Sequence, residues 1–351
     1  MGRDRTVAVV TLGGTIACAP HPLGGVTPSD DPAFMAGVLA DARLSATDLP
    51  GTHVISAPPL ASAVLDAPRL AAVVRSLERV VDEGACGVVV TTGTDTLEEV
   101  AFMLDLLWRR AEPVVVVGAM RHGGLPGADG PGNLRDGLRV AAHDQARGMG
   151  CLVTLNGHIH QAWQVRKSHT SSLSAFESFV SGPVGSVHED TVRITSASVI
   201  DRPLFILDTV TVVPPVALVT AALADDGRLL GVVGGLGYRG LVVETMGGGS
   251  VPPQWSSLLE RLTARMPVVY SSRTGGGPTL RSTYGGAGAE RDLRRIGMTP
   301  AGLLDGLKAR LLLGLLLAVR ADRASMDEVW DLFDSPTTRG RRCEFVDLAA
   351  R

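Results

Sequence analysis

The sequence predicts an α/β protein in two parts: a larger N-terminal domain with a mainly parallel, twisted sheet flanked by helices, and a smaller C-terminal α/β domain. Two observations predict it. Apolar runs of strand length alternate with segments of helical period, and those runs are continuous and valine-rich, as in strands buried on both faces. The chain, at 351 residues, is long enough for two such cores.

In the first part, "TVAVVTL" (6–12), "GVVVTT" (87–92), "EPVVVVGAM" (112–120) and "CLVTLNG" (151–157) read as strands. Between the first two, "DAPRLAAVVRSLERVVDEG" carries Asp66 as a cap, Pro68 in the first turn, and Leu70, Val73, Val74 and Leu77 on one face, which makes it a helix. Strand, helix and strand in repetition imply a parallel sheet. From about residue 186 the pattern loosens into a short β excursion, so the expected boundaries are 1–190, a linker at 191–214, and 215–351. In the second part, "VALVTAAL", "GLVVETM" and "MPVVYSSR" read as strands. The helices are "PPQWSSLLERLTAR", "AGLLDGLKARLLLGLLLAVR" and "SMDEVWDLF", the last opened by a capping box from Ser325 to Glu328.

Composition narrows the function. Apolar residues make up 45% of the chain and the formal charge is only −3, which argues against disorder and against nucleic acid as a partner. The longest apolar stretch, "LLLGLLLAV" at 311–319, falls short of the roughly 20 residues of a membrane span and reads as a buried helix. The charged start running straight into a β-branched strand lacks the pattern of a signal peptide, so a cytoplasmic location is expected. Cys18, Cys86, Cys151 and Cys343 are scattered singly and are expected to be reduced. His158 and His160 share a strand face but have no further ligand cluster nearby, so neither a metal nor another cofactor is expected.

Two glycine-bearing turns and one lysine carry the candidate chemistry. In "TLGGTIA" (11–17), Gly13 and Gly14 follow a strand and put Thr15 on a turn at its carboxyl end, where open α/β sheets bind ligands. The turn has neither the spaced glycines of a dinucleotide loop nor the lysine of a phosphate loop, and Gly-Gly also serves as ordinary punctuation. In "TTGTDTLEEV" (91–100), Thr96 with Glu99, or Asp95 with Glu98, fits a capping box and leaves Thr92 and Thr94 over. A threonine hydroxyl needs a base before it attacks, and a lysine kept neutral by its surroundings can serve. Lys167, in the loop-like "QVRKSHTSSLSAF", is the candidate, although its spacing equally describes a solvated surface lysine.

The order "GGTIA", "GTDTLEE", "VGAMR" with "ADGPGNL", then "VRKSHTS", resembles the bacterial-type L-asparaginase family. The likeness continues through "GYRGLVVETMGGGSVP" and "PVVYSSRTGGGP", so it covers nearly the whole chain. It implies an amidohydrolase that splits the side-chain amide of L-asparagine into L-aspartate and ammonia through a threonyl acyl-enzyme. By position, Thr15 is the implied nucleophile, and Thr94, Asp95 and Lys167 form a companion group in which Lys167 is the base that relays through Thr94. Asp95 also binds the substrate α-amino group, Ser62 in "ASAVLD" its α-carboxylate, backbone donors at Gly14, Gly93 and Thr94 the oxyanion, and the Ala119 carbonyl lines the pocket. The implied assembly is a homodimer or homotetramer in which a partner's smaller domain completes each site.

This chain departs from the family pattern at several places. Leu12 replaces a usual threonine, Thr92 a usual histidine, and Val26 in "GGVTP" the loop tyrosine that helps activate the nucleophile. Tyr238, Tyr270 and Tyr284 are the only tyrosines, none of them nearby in sequence. Ser250 stands where a second-domain asparagine falls, and "GPTLRSTYG" supplies no glutamate. These departures leave two alternatives open. One is an amidohydrolase on the same scaffold acting on glutamine, a D-residue or a specialised-metabolite amide, and the other is a catalytically silent amino-acid-binding protein.

Overall fold

The computed structural model describes residues 5–21, 23, 25–29, 32–43, 49–56, 65–195, 205, 206, 208 and 212–334. The chain divides into two compact units, 1–199 and 200–351.

The first unit opens with β1 (Thr6–Thr11), a single 3-10 turn (Thr15–Ala17), a small hairpin of β2 (Cys18–Pro20) and β3 (Val26–Pro28), then α1 (Pro32–Arg43). It continues through β4 (Gly51–Ser56), α2 (Ala67–Asp82), β5 (Gly87–Thr91), α3 (Leu97–Leu107), β6 (Val114–Val117) and α4 (Gly130–Ala141). It ends with β7 (Cys151–Leu155), β8 (His158–Gln161), β9 (Val165–Lys167), β10 (Phe176–Ser178), β11 (Gly185–His188) and β12 (Thr191–Ile194). Eight of these strands form one sheet in the order β12-β11-β8-β7-β6-β5-β1-β4. The run from β4 to β7 is parallel.

Both faces of that run are covered, which is why its strands read as unbroken valine. Side chains alternate across a strand. Val7 and Val9 therefore join the core shared with Leu134 and Leu138 of α4, while the intervening Ala8 and Val10, equally buried, face the other way. On that other face lie α2 and α3, packed against each other and against β5, β6 and β7. α2 forms as its sequence predicts: the Asp66 carboxylate accepts the Arg69 N–H, a cap that contributes about 1 kcal/mol. Leu70, Val74 and Leu77 are buried and Val73 is half-buried. Full burial contributes about 2 kcal/mol per leucine.

The sheet turns antiparallel after β7. Leu155 pairs with His158 across Asn156 and Gly157, which both have positive φ (50° and 75°), the mirror-image turn that Asn-Gly favours in two-residue hairpins. The sequence expectation treats "CLVTLNG" as one strand and passes over this reversal. β11 and β12 extend the antiparallel edge. Residues 191–194, expected in the linker, thus belong to the sheet, because the turn at Glu189 (φ 55°) folds them back onto β11.

The second unit comprises β13 (Val216–Thr220), α5 (Arg228–Val233), β14 (Gly240–Thr245), α6 (Ser256–Thr263), β15 (Val268–Ser272), α7 (Glu290–Arg295), β16 (Thr299–Pro300), α8 (Gly306–Ala318) and α9 (Arg323–Leu332). Its four strands are parallel in sequence order. The apolar stretch at 311–319 forms the second half of α8 and its C-cap, with residues 312–316 buried, and α8 packs across β13, β14 and β15. α9 starts two residues before the expected Ser325–Glu328 box. Its cap is Asp322, whose carboxylate accepts the Ser325 N–H, so Ser325 is a donor inside the first turn rather than the cap. Among the described residues no helix is long and apolar enough to cross a membrane, and no group of three or more potential ligands is placed to hold a metal. Cys18, Cys86 and Cys151 are free thiols, while Cys343 lies outside the described residues.

Two titrating groups in the first unit set opposing pH dependences. His160 is 1% exposed, and burial, with a smaller push from His158, lowers it from 6.5 to about 4. Between those values the unfolded chain binds the extra proton, so His160 removes stability as pH falls through the window, on the order of 3 kcal/mol in full. Asp136 runs the other way. Burial raises it from 3.8 to about 6 against the pull of Arg135, Arg139 and His188, so the folded state keeps its proton and gains stability as pH falls. Asp136→Asn removes the compensating slope. Urea unfolding at fixed pH is expected to show a steeper loss between pH 6 and 4 in that variant than in the parent, and equal slopes would contradict the assignment.

Candidate active site

The turns that carry Thr15, Thr94 with Asp95, and Ala119 follow the carboxyl ends of β1, β5 and β6. Strand-end threonines tie the first two together: Thr91 Oγ1 donates to Thr11 Oγ1 at 3.0 Å, and Thr11 Oγ1 in turn accepts the Gly13 N–H at 3.2 Å. Beyond them, Gly13 and Gly14 both have positive φ (95° and 89°), a backbone that side chains resist. A Cβ on Gly14 would lie 2.3 Å from Gly93 N and 2.5 Å from Gly93 Cα, so the two turns touch backbone to backbone. Thr15 follows directly and is partly exposed. Gly14→Ala therefore combines an overlap with rigid backbone and a strained φ, and is expected to cost about 3 kcal/mol or more by chemical denaturation. A variant with the parent's midpoint would show that the turns can part cheaply.

Lys167 reaches this place from a strand rather than from the expected loop. It ends β9, whose register with β10 pairs Lys167 with Phe176. Lys167 Nζ donates to Thr94 Oγ1 at 3.0 Å and lies 3.0 Å from Asp95 Oδ1. The lysine side chain is 16% exposed and that of Asp95 87%, so the cation is sheltered and its carboxylate faces solvent. Rather than lying isolated in apolar surroundings, the amine has an ionic partner. The Thr94 hydroxyl accepts from the amine, which leaves its own proton to donate elsewhere.

The threonines of this turn divide in a way that spacing does not reveal. Thr92 is fully buried and its hydroxyl has no hydrogen-bond partner among the described residues, whereas the Thr94 hydroxyl is the one that meets Lys167. Thr96 is the N-cap of α3 but makes no capping bond, contrary to the capping-box expectation. Its ψ of 15° departs from the extended conformation that aims a cap side chain at the first-turn N–H groups. Glu98, read from sequence as a possible cap partner, accepts the backbone N–H of Lys167 at 2.9 Å.

Ala119 lies in the turn after β6. A Cβ on its neighbour Gly118 would come 3.1 Å from Thr94 Cγ2, and one on Gly130 would come 3.0 Å from Ile16, so this turn borders both of the others. Sequence reasoning missed what holds it. Asp129 accepts the N–H groups of Met120 and Arg121 at 3.0 and 2.8 Å, and Asn133 Nδ2 donates to the Gly118 carbonyl at 3.0 Å. The available signal was an Asp and an Asn four residues apart, neighbours across one helical turn. Ser62 lies outside the described residues. Val26 pairs with Pro20 in the β2–β3 hairpin. Trp163 donates to Gln161, and His169 Nδ1 accepts the N–H groups of Ser171 and Ser172, both local structural roles.

The family model described as "Asparaginase, N-terminal" matches residues 6–199, and that described as "Glutaminase/Asparaginase C-terminal domain" matches residues 215–330. The chain belongs to the asparaginase family. This asparaginase-family chain is 36% identical over 334 residues to a probable L-asparaginase of Deinococcus radiodurans, across 92% of this chain and 96% of that one. It is 30% identical over 329 residues to an L-asparaginase of Bacillus licheniformis, across 90% and 96% of the two chains. Its asparaginase fold is also that of a probable cytoplasmic L-asparaginase from Campylobacter jejuni, with a TM-score of 0.83 at 27% identity over 93% of this chain and 99% of that one.

Proposed function

We propose that the protein is an L-asparaginase, hydrolysing the side-chain amide of L-asparagine to L-aspartate and ammonia through an ester on Thr15. The observation that carries this reading is the contact of Lys167 Nζ with Thr94 Oγ1 and Asp95 Oδ1, both at 3.0 Å, beside the Gly14 turn that presents Thr15. A base, a hydroxyl relay and an orienting carboxylate near a partly exposed nucleophile are the parts that acyl transfer requires. Relatives named L-asparaginase along nearly their whole length support the substrate.

In this mechanism Asp95 receives the substrate α-ammonium. Lys167 is the base of the group and acts through the Thr94 hydroxyl it touches. Thr15 Oγ attacks the amide carbon, and its proton passes through Thr94 and Lys167 to the departing nitrogen. The C–N bond breaks and ammonia leaves. Water then attacks the ester by the same relay, returning a proton to Thr15 Oγ and freeing L-aspartate. Backbone N–H groups at Gly14, Gly93 and Thr94 hold the oxyanion, where one such donor contributes on the order of a hundredfold in rate. Ser62 takes the α-carboxylate, and the Ala119 carbonyl lines the pocket. The proposed assembly is a cytoplasmic homodimer or homotetramer in which a partner's smaller domain closes each site.

Val26 at the usual tyrosine position, with Ser250 and the missing glutamate, favours a second reading: the same chemistry on glutamine, a D-residue or a specialised amide. One panel separates the two. Ammonia release from L-asparagine, L-glutamine, their D forms and small peptidic amides is expected to be highest for L-asparagine. Indifference to L-asparagine with turnover of another member would favour the second reading.

A further inference from the structure

The Lys167 side chain ends on the Thr94–Asp95 turn, but nothing in the hairpin itself fixes its backbone there. In the β9–β10 pair, the Ser168 N–H bonds the Ala175 carbonyl. Pairs alternate along an antiparallel ladder, so the adjoining pair, Lys167 with Phe176, is the non-hydrogen-bonded kind, and the Lys167 N–H points away from β10. This outward N–H needs an acceptor. It finds one in Glu98 Oε2 at 2.9 Å, on a side chain in a residue only 6% exposed, two residues past the N-cap of α3.

Lys167 is thus gripped twice by one turn of chain, its backbone by Glu98 and its amine by Thr94 and Asp95. Burying a carboxylate is costly, although the N-terminal end of a helix offsets part of that cost. A strand of three residues has little stiffness of its own, and a β9 free to slide would carry the amine out of reach of Thr94. We propose that Glu98 is a positioning residue of the catalytic group, a buried acceptor that docks the Lys167 strand onto the helix start carrying Thr94 and Asp95. This inference rests on the amidohydrolase reading for its consequence in rate, though not for the docking itself.

Two variants and two readouts test it in the full-length protein. Glu98→Gln keeps an acceptor of the same shape, while Glu98→Ala removes it. Glu98→Ala is expected to lower kcat about a hundredfold, the usual cost of misplacing a reacting group by an ångström, with KM within about threefold because Asp95 stays on its own turn. Glu98→Gln is expected to recover kcat to within about threefold of the parent. The second readout needs no substrate: acylation of the Lys167 amine by an amine-selective reagent, followed by peptide mapping. Labelling is expected to be about tenfold faster in Glu98→Ala than in the parent and unchanged in Glu98→Gln. Parent-like kcat and labelling in Glu98→Ala would overturn the proposal, as would equal losses in the two variants. If the parent releases ammonia from no amide, the function reading fails on its own, and the labelling rates still decide the docking role.

Discussion

Thr15→Ala is expected to abolish ammonia release from L-asparagine, by on the order of ten-thousandfold or more, while leaving the protein folded. The two halves of this expectation have separate causes. Without Oγ there is no atom to form the ester, and neither the oxyanion donors nor the lysine can replace it. Stability should change by less than about 1 kcal/mol, because Thr15 is partly exposed and its carbonyl, which accepts from Cys18 N–H, is retained by alanine. Thr11 provides the contrast. It is buried, accepts from Thr91 and Gly13, and belongs to the scaffold. Full ammonia release by Thr15→Ala would sink the nucleophile assignment.

Lys167→Met is expected to lower kcat at neutral pH by about a hundredfold to ten-thousandfold, the range of a lost general base, with a smaller change in KM. Methionine fills much of the space of the lysine stem and leaves Thr94 and Asp95 in place. The fold should not suffer: the ion pair has a carboxylate side chain 87% exposed, and such pairs contribute about 1 kcal/mol or less. A kinetic loss without a matching loss in the denaturation midpoint is therefore the expected signature. Thr94→Val should cost a similar factor, and adding it to Lys167→Met should cost little more, because a relay fails as a unit. Normal turnover by Lys167→Met would remove the base from the mechanism.

Much of this was legible in the chain because the relevant physics is local. Buried parallel strands announce themselves as valine runs, and Asp66 before Ala67-Pro68 reads as a helix start. The Gly13-Gly14 pair marks a turn that only glycine fills. What spacing left hidden was mostly long-range. Glu98 and Lys167 are 69 residues apart, so the same glutamate that reads as a capping partner can be spent on a distant strand. The choice among Thr92, Thr94 and Thr96 turns on which way one loop rotates its side chains, a property of tertiary packing. The Asn156-Gly157 reversal was present in the sequence as a hairpin signal, masked by the apolar run before it. Lys167 stood out as a candidate base, but its neighbours read equally well as a surface loop, and only the family resemblance gave it a role.

The most direct test of the central claim is rapid-quench peptide mapping of the enzyme during turnover of L-asparagine. The account predicts an aspartyl ester on the peptide containing Thr15, formed as ammonia is released and absent from Thr15→Ala. Steady turnover with the acyl group on Thr94 instead, or with no covalent adduct at any quench time, would contradict it.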